Sequence, residues 1–176
     1  MRYDELEAAI LQLVSAAGEA DLHAFGLETV TRLVRSDLLD TAADDELDED
    51  AWAALASARE NVRTAGAAEL RAQLTRIDAG ILADGDLDQG LLIVITALEH
   101  WTTYLEEDRR GELYELAIRS VEEVDFQVSG DLDDFLATPE MAAEYARIRS
   151  LLSGGPRPPQ IAVPDGDLSN DAASAE

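Results

Sequence analysis

Apolar residues recur at intervals of three and four positions through most of this chain, the spacing that places them on one face of an α-helix. The first run predicts a helix from about Asp4 to Ala17 that stops near Gly18. Asp21 is expected to cap a second helix and Asp48 a third, while Gly66 separates the third from a fourth. The inward stripes of these four helices are Leu6, Ile10, Leu13 and Val14; Leu22, Phe25, Val30, Leu33 and Val34; Trp52, Leu55, Ala56 and Val62; and Leu70, Leu74, Ile77 and Ile81.

The widest apolar face comes next and predicts the central, most buried helix of the fold. The segment from Leu91 to Ile95 also fits a buried strand, but the three-four spacing continues on both sides and favours a helix. The residues of this face are Leu87, Leu91, Val94, Leu98, Trp101 and Leu105, and Leu92 and Ile95 lie on its flank.

Two further helices complete the pattern. The sixth is predicted from Arg109 to Val128, and Thr138-Pro139-Glu140 starts a seventh with a capping residue, a proline and an acid in the first turn. From residue 153 onward, glycine and proline remove the periodicity. We therefore predict an all-α fold, a compact bundle of six or seven helices in residues 1–152, followed by a disordered acidic tail in 153–176.

Composition agrees with a single domain that buries a core. The chain has 176 residues, 47% hydrophobic and 5% aromatic, with Ala and Leu dominant. It contains no cysteine, which excludes disulfides and thiolate chemistry. Its N-terminal residues do not form a signal-peptide pattern, and the apolar run from Leu91 to Leu98 is too short to span a bilayer. We expect a cytoplasmic protein with no membrane role.

Charge is the most unusual property of the composition. The chain carries 38 acidic residues against 13 basic ones, all of them arginine, for a net charge of -25. Concentrated salt screens carboxylates from one another, so this composition is typical of proteins from extreme halophiles, especially haloarchaea. A basic partner, such as a toxin blocked by an immunity or inhibitor protein, and DNA mimicry are the alternatives. A nucleic-acid-binding function is disfavoured because phosphates would be repelled.

One block concentrates the acid, with seven carboxylates in the eleven residues from Asp40 to Asp50. Such a block usually forms a solvated loop, but it is also where a basic partner would bind. The candidate partner-binding residues are Asp40, Asp44, Asp45, Glu46, Asp48, Glu49 and Asp50.

A second candidate site surrounds one of the two histidines. His100 lies on the predicted central helix between Glu99 and Trp101, with Tyr104 one turn further on. This arrangement could form a polar notch in which His100 acts as a general base. The alternative is a histidine at the edge of the core, packed beside Trp101.

Metal and cofactor motifs are not matched. Asp84, Asp86 and Asp88 have the spacing of a calcium loop, but Gln89 stands in the glycine position and Ile95 in the position of the bidentate glutamate. A second partial match in the tail has Asn170 at the glycine position; its acidic members are Asp165, Asp167, Asp171 and Glu176. We predict no metal, no cofactor and no catalytic residue.

Residues 86–152 resemble an uncharacterised helical family, the YjaG-like family. The resemblance rests on an Asp and a Gly that open an apolar helix, on the centre of the following helix at 117–124, and on a last helix that opens with a small residue and Pro and ends in a Leu pair. Gln89 departs from the family's aromatic residue. The resemblance implies a compact helical bundle and carries over no activity. The similar positions are Asp88, Gly90, Ala97, Leu98, Glu99, Thr138, Pro139, Glu140, Glu144, Ile148, Leu151 and Leu152.

Together these observations predict a non-enzymatic interaction module adapted to high salt, with a basic protein or a second copy of the chain as its partner. The alternative function is an immunity or inhibitor protein, or a DNA mimic, that binds a basic partner through its acidic surface.

Overall fold

Seven α-helices make up the part of the chain that the computed structural model describes, which is residues 1–35, 39, 42, 45–82, 87–128 and 134–154. Within these ranges the all-α prediction is confirmed, and the strand alternative for Leu91–Ile95 is wrong because these residues lie inside α5. The predicted tail lies outside the described residues from 155 onward. The helices are α1 (Tyr3–Ala16), α2 (Glu19–Leu33), α3 (Glu49–Asn61), α4 (Ala67–Ala79), α5 (Gln89–Glu107), α6 (Arg110–Val128) and α7 (Pro139–Leu152).

Two helices, α3 and α7, begin at the capping residues that the sequence indicates. Asp48 accepts a hydrogen bond from the backbone N–H of Ala51 at 2.8 Å, and Thr138 caps α7 ahead of Pro139. The start of α2 differs, since its N-cap is Gly18 and Asp21 lies in the first turn. An acid in the first turn still faces the positive end of the helix, so Asp21 is favourable there without being the cap.

The core is built around α5, which packs against α2, α4 and α6. Trp101 of α5 is 2% exposed and lies against Gly26 of α2. A Cβ atom at Gly26 would stand 2.4 Å from Trp101 Cζ3 and 2.8 Å from Leu113 Cδ2. Glycine inside this helix is therefore required by the close approach of α2 and α5.

Arg110 at the start of α6 satisfies the end of α1. Its Nη1 donates to the backbone carbonyls of Ala17 at 2.8 Å, Ser15 at 3.2 Å and Val14 at 3.3 Å. The last carbonyls of a helix lack partners within the helix and carry partial negative charge, so a guanidinium stabilises them.

Two groups of helices lie on different sides of this core. α3 packs against α4, and α4 packs against α5. α2, α6 and α7 each pack against the other two, forming a three-helix junction. The candidate sites described next lie at that junction and at the edge formed by α3, α4 and the start of α5.

Candidate functional site

Charged side chains from three helices meet inside the junction of α2, α6 and α7. We call this group the Arg–Glu network and define it as Arg32 from α2, Ser120 and Glu123 from α6, and Glu144 and Arg147 from α7. Helix periodicity brings each pair together, since residues three apart on one helix lie on the same face.

Glu144 accepts the most hydrogen bonds in the network. Its Oε1 accepts from Arg147 Nη2 at 2.7 Å and from Arg32 Nη2 at 3.3 Å, and also from the hydroxyl of Ser120. Its Oε2 accepts from Arg147 Nε at 2.9 Å. Both guanidinium groups therefore converge on one carboxylate.

Glu123 is the second buried carboxylate of the network, and it also binds Arg32. Its Oε2 accepts from Arg32 Nη1 at 2.6 Å, and its Oε1 accepts from the side-chain amide of Gln127 at 2.7 Å. Arg147 Nη2 also donates to the hydroxyl of Thr29 at 3.2 Å, which adds a second contact with α2. All four carboxylate oxygens of the network accept hydrogen bonds from within the protein.

Because the two carboxylates of the network are buried, their pairing with arginine affects the stability of the fold. The side chains of Glu123 and Glu144 are only 4% and 7% exposed, and a buried charge is costly unless it is paired and hydrogen-bonded. Burial alone would raise the pKa of Glu144, but the hydrogen bonds and charge of Arg147, the charge of Arg32 and the Ser120 hydroxyl outweigh it and lower the pKa. The network combines two arginines with two glutamates, so its formal charges sum to zero.

The members of this network come from segments that are far apart in the sequence. Arg32 is 91 positions from Glu123 and 112 from Glu144, so no local pattern joins them. One signal was present in the sequence: Glu144 lies three residues after Met141 and four before Ile148, on the inward stripe of α7. A carboxylate in a buried stripe requires a cationic or hydrogen-bonding partner.

The acidic block is divided among different roles in the structure. Glu46 is half-buried, and its Oε2 accepts from the backbone N–H of Asp88 at 2.8 Å. Asp48 caps α3, and its own N–H donates to the carbonyl of Gly80 at 2.8 Å. Asp45 and Glu49 are exposed. Asp40 and Asp44 lie outside the described residues.

Asp50, the last residue of the block, forms an ion pair with α4. Its Oδ2 accepts from Arg76 Nε at 3.0 Å, and Arg76 Nη2 reaches Oδ1. The hydrogen bond from Arg76 lowers the pKa of Asp50, burial opposes this shift, and the charge of Arg76 adds to it. Glu46, Asp48 and Asp50 therefore contact other parts of the fold, and among the described residues of the block Asp45, Glu49 and Asp50 are exposed.

The residues of the predicted polar notch do not converge on one point. Trp101 and Tyr104 are buried and stack on each other with ring centroids 5.7 Å apart, whereas Glu99 is exposed. His100 pairs instead with Glu112 of α6, its Nδ1 lying 2.9 Å from Oε2. The other oxygen of Glu112 lies 2.9 Å from Arg109 Nη2. The structure thus places His100 in a His–Glu–Arg row that joins α5 and α6.

Among the described residues, no three His, Asp or Glu side chains come together as a possible metal site. Asp88 of the partial calcium motif caps α5 by accepting from Leu91 N–H at 3.1 Å, and Asp84 and Asp86 lie outside the described ranges. No helix in those ranges combines the length and apolar character that a bilayer span requires.

No family model, no curated protein and no solved structure matches this chain. The YjaG-like resemblance therefore stays a prediction. Function has to be argued from the residues themselves.

Proposed function

We propose that this chain is a non-enzymatic interaction protein of the cytoplasm whose surface is adapted to concentrated salt. The observation that carries this proposal is the division of its charges. Among the described residues, several arginines connect parts of the fold, and exposed carboxylates outnumber exposed arginines and occur on every helix.

Several arginines act as internal connectors. Arg32 and Arg147 are bound in the Arg–Glu network, Arg110 caps α1, and Arg59 donates to the carbonyl of Val34. Others form ion pairs between helices, such as Arg71 with Glu106 of α5. The remaining exposed arginines are too few to offset the exposed carboxylates of the described surface, and this excess of acid supports an adaptation to the solvent.

The surplus acid is dispersed over the surface. Each helix carries at least one exposed carboxylate, and such residues repel one another at low ionic strength. At 1 M salt the screening length is about 3 Å, so the same residues interact weakly and remain hydrated. Exposed carboxylates, one from each helix in chain order, are Glu5, Glu19, Glu49, Glu69, Glu99, Glu115 and Glu140.

The non-enzymatic part of the proposal is supported by the Arg–Glu network. Catalytic carboxylates must be able to exchange a proton or contact a substrate. Glu123 and Glu144 instead direct all their oxygens to partners in the protein, and both are almost completely buried. This arrangement is suited to holding three helices together.

Thermal unfolding followed by circular dichroism, from 0.1 to 4 M KCl, tests the proposal. We expect the melting temperature to rise steeply with salt, because screening removes repulsion from the folded state. A melting temperature that is already maximal at 0.1 M KCl would contradict the adaptation to salt.

A further inference from the structure

Two exposed leucines lie at the same edge of the bundle as the acidic block. Leu82 is 56% exposed and is the most exposed large apolar side chain among the described residues, and Leu92 of α5 is 42% exposed. Single exposed leucines are ordinary on protein surfaces. Their position relative to the acidic block is what makes this pair informative.

Glu46 connects both leucines to the block. Its backbone carbonyl accepts from the N–H of Leu82 at 2.9 Å, and its carboxylate accepts from the N–H of Asp88 at 2.8 Å. Leu92 follows Asp88 by one helical turn and donates its N–H to the Asp88 carbonyl at 2.9 Å. Leu82 therefore lies beside Glu46, and Leu92 lies one helical turn beyond Asp88, which Glu46 binds.

This edge is fixed by the fold. Leu47 is buried and forms an isolated antiparallel bridge with Ile81. At Gly80, a Cβ atom would stand 2.5 Å from Asp48 Oδ1 and 2.6 Å from the Cβ of Ala51, so the absence of a side chain allows the close approach. A surface that is already ordered loses less conformational entropy when a partner binds.

We propose that Asp45, Glu49, Leu82 and Leu92, which we call the acidic-leucine edge, form a docking surface for a basic amphipathic segment of another protein. This inference rests on the interaction role proposed above and specifies its partner. Lys or Arg side chains of the partner meet Asp45 and Glu49, and its apolar side chains cover the two leucines.

Charge complementarity selects this occupant, and because salt screens charges beyond direct contact, its Lys or Arg side chains pair directly with the carboxylates. A second copy of the chain would bring another acidic surface to the edge, and a nucleic acid would bring phosphates. An uncharged apolar segment would leave the carboxylates without partners. A cationic segment with an apolar stripe satisfies both parts of the surface.

Synthetic helical peptides of about 20 residues provide the probe, since shorter helices are marginal in water. One peptide contains Leu and Lys in an amphipathic pattern, a second replaces Lys by Glu, and a third replaces Leu by Ser. Binding is measured by fluorescence anisotropy at the lowest KCl concentration at which the protein is fully folded. The Leu/Lys peptide is expected to bind and the other two to bind much more weakly.

Matched variants locate the binding. The double variant Leu82→Ser, Leu92→Ser is expected to lower the affinity for the Leu/Lys peptide about tenfold. The control Leu11→Ser, Phe126→Ser removes exposed apolar side chains on α1 and α6 and should leave the affinity unchanged. Circular dichroism verifies that each variant is folded before binding is measured.

Three results would overturn the docking surface: no binding of the Leu/Lys peptide, equal binding of the Ser/Lys peptide, or equal losses in the edge and control variants. Each of these results is independent of the salt titration. If the melting temperature rises with KCl but the peptide does not bind, the adaptation to salt stands and the docking surface is wrong.

Discussion

Two of the places where arginine and carboxylate meet differ mainly in burial. In the Arg–Glu network the two glutamates are 4% and 7% exposed, and they connect α2, α6 and α7. At the edge of α3 and α4, Arg76 and Asp50 are 43% and 66% exposed. The chemistry of the pairs is the same, but water and salt reach only the second freely.

Because of this difference in burial, charged side chains have two different roles in the molecule. Buried ions are screened little by salt, and removing one partner leaves the other charge unpaired in a medium of low polarity. Exposed ions gain little from pairing and respond strongly to ionic strength. We infer that the network fixes the helix junction, whereas the exposed carboxylates set the response to solvent.

The largest expected effect is at Glu144. Glu144→Gln removes the charge on which Arg32 and Arg147 converge, and we expect it to lower the free energy of unfolding by about 3 kcal/mol. Urea unfolding at constant KCl measures this loss. Glu140→Gln is the matched control, because Glu140 is exposed one turn earlier on α7. Equal losses in the two variants would mean that the buried site has no special role.

Acid should remove the same contribution in the wild-type protein. The pKa of Glu144 is lowered on folding from its ordinary value of 4.5, so its stabilising effect is complete above pH 4.5 and is lost as the pH falls through the lowered value. The stability difference between wild type and Glu144→Gln should therefore shrink in acid. Urea unfolding of both proteins from pH 7 downward measures it, and a constant difference would argue against the lowered pKa.

The smallest expected effect is at the exposed pair. Asp50→Asn should change the melting temperature far less than Glu144→Gln, and the change should diminish further as KCl is raised. Glu49→Gln is the control, since it alters the neighbouring charge and leaves the Arg76 contact in place. If Asp50→Asn lowered the melting temperature as much as Glu144→Gln, the distinction between the buried and the exposed pair would be wrong.

Features that depend on residues close together in the chain could be predicted from the sequence. The helices and the caps at Asp48 and Thr138 depend on residues within a few positions of one another, and the patterns identify them. The cap predicted at Asp21 is wrong, because α2 begins one turn earlier at an uncharged glycine.

The network and the division of the acidic block could not be predicted in the same way. They depend on contacts between segments that are distant in sequence, such as Arg32 with Glu144 and Glu46 with Asp88. For His100, sequence spacing indicated neighbours on its own helix and gave no sign of its contact with Glu112 on the next helix. Only the packing of helices determines which of these side chains meet.

The most direct test of the central claim compares how the melting temperature depends on KCl, from 0.1 to 4 M, in three proteins. They are the wild type, Glu144→Gln, and a variant in which Glu19, Glu69, Glu115 and Glu140 are all replaced by Gln. We expect Glu144→Gln to be less stable at every concentration with the slope of the wild type, and the surface variant to be more stable at 0.1 M with a shallower slope. A surface variant that keeps the wild-type slope, or a Glu144→Gln variant that loses it, would contradict the claim that exposed carboxylates govern the response to salt.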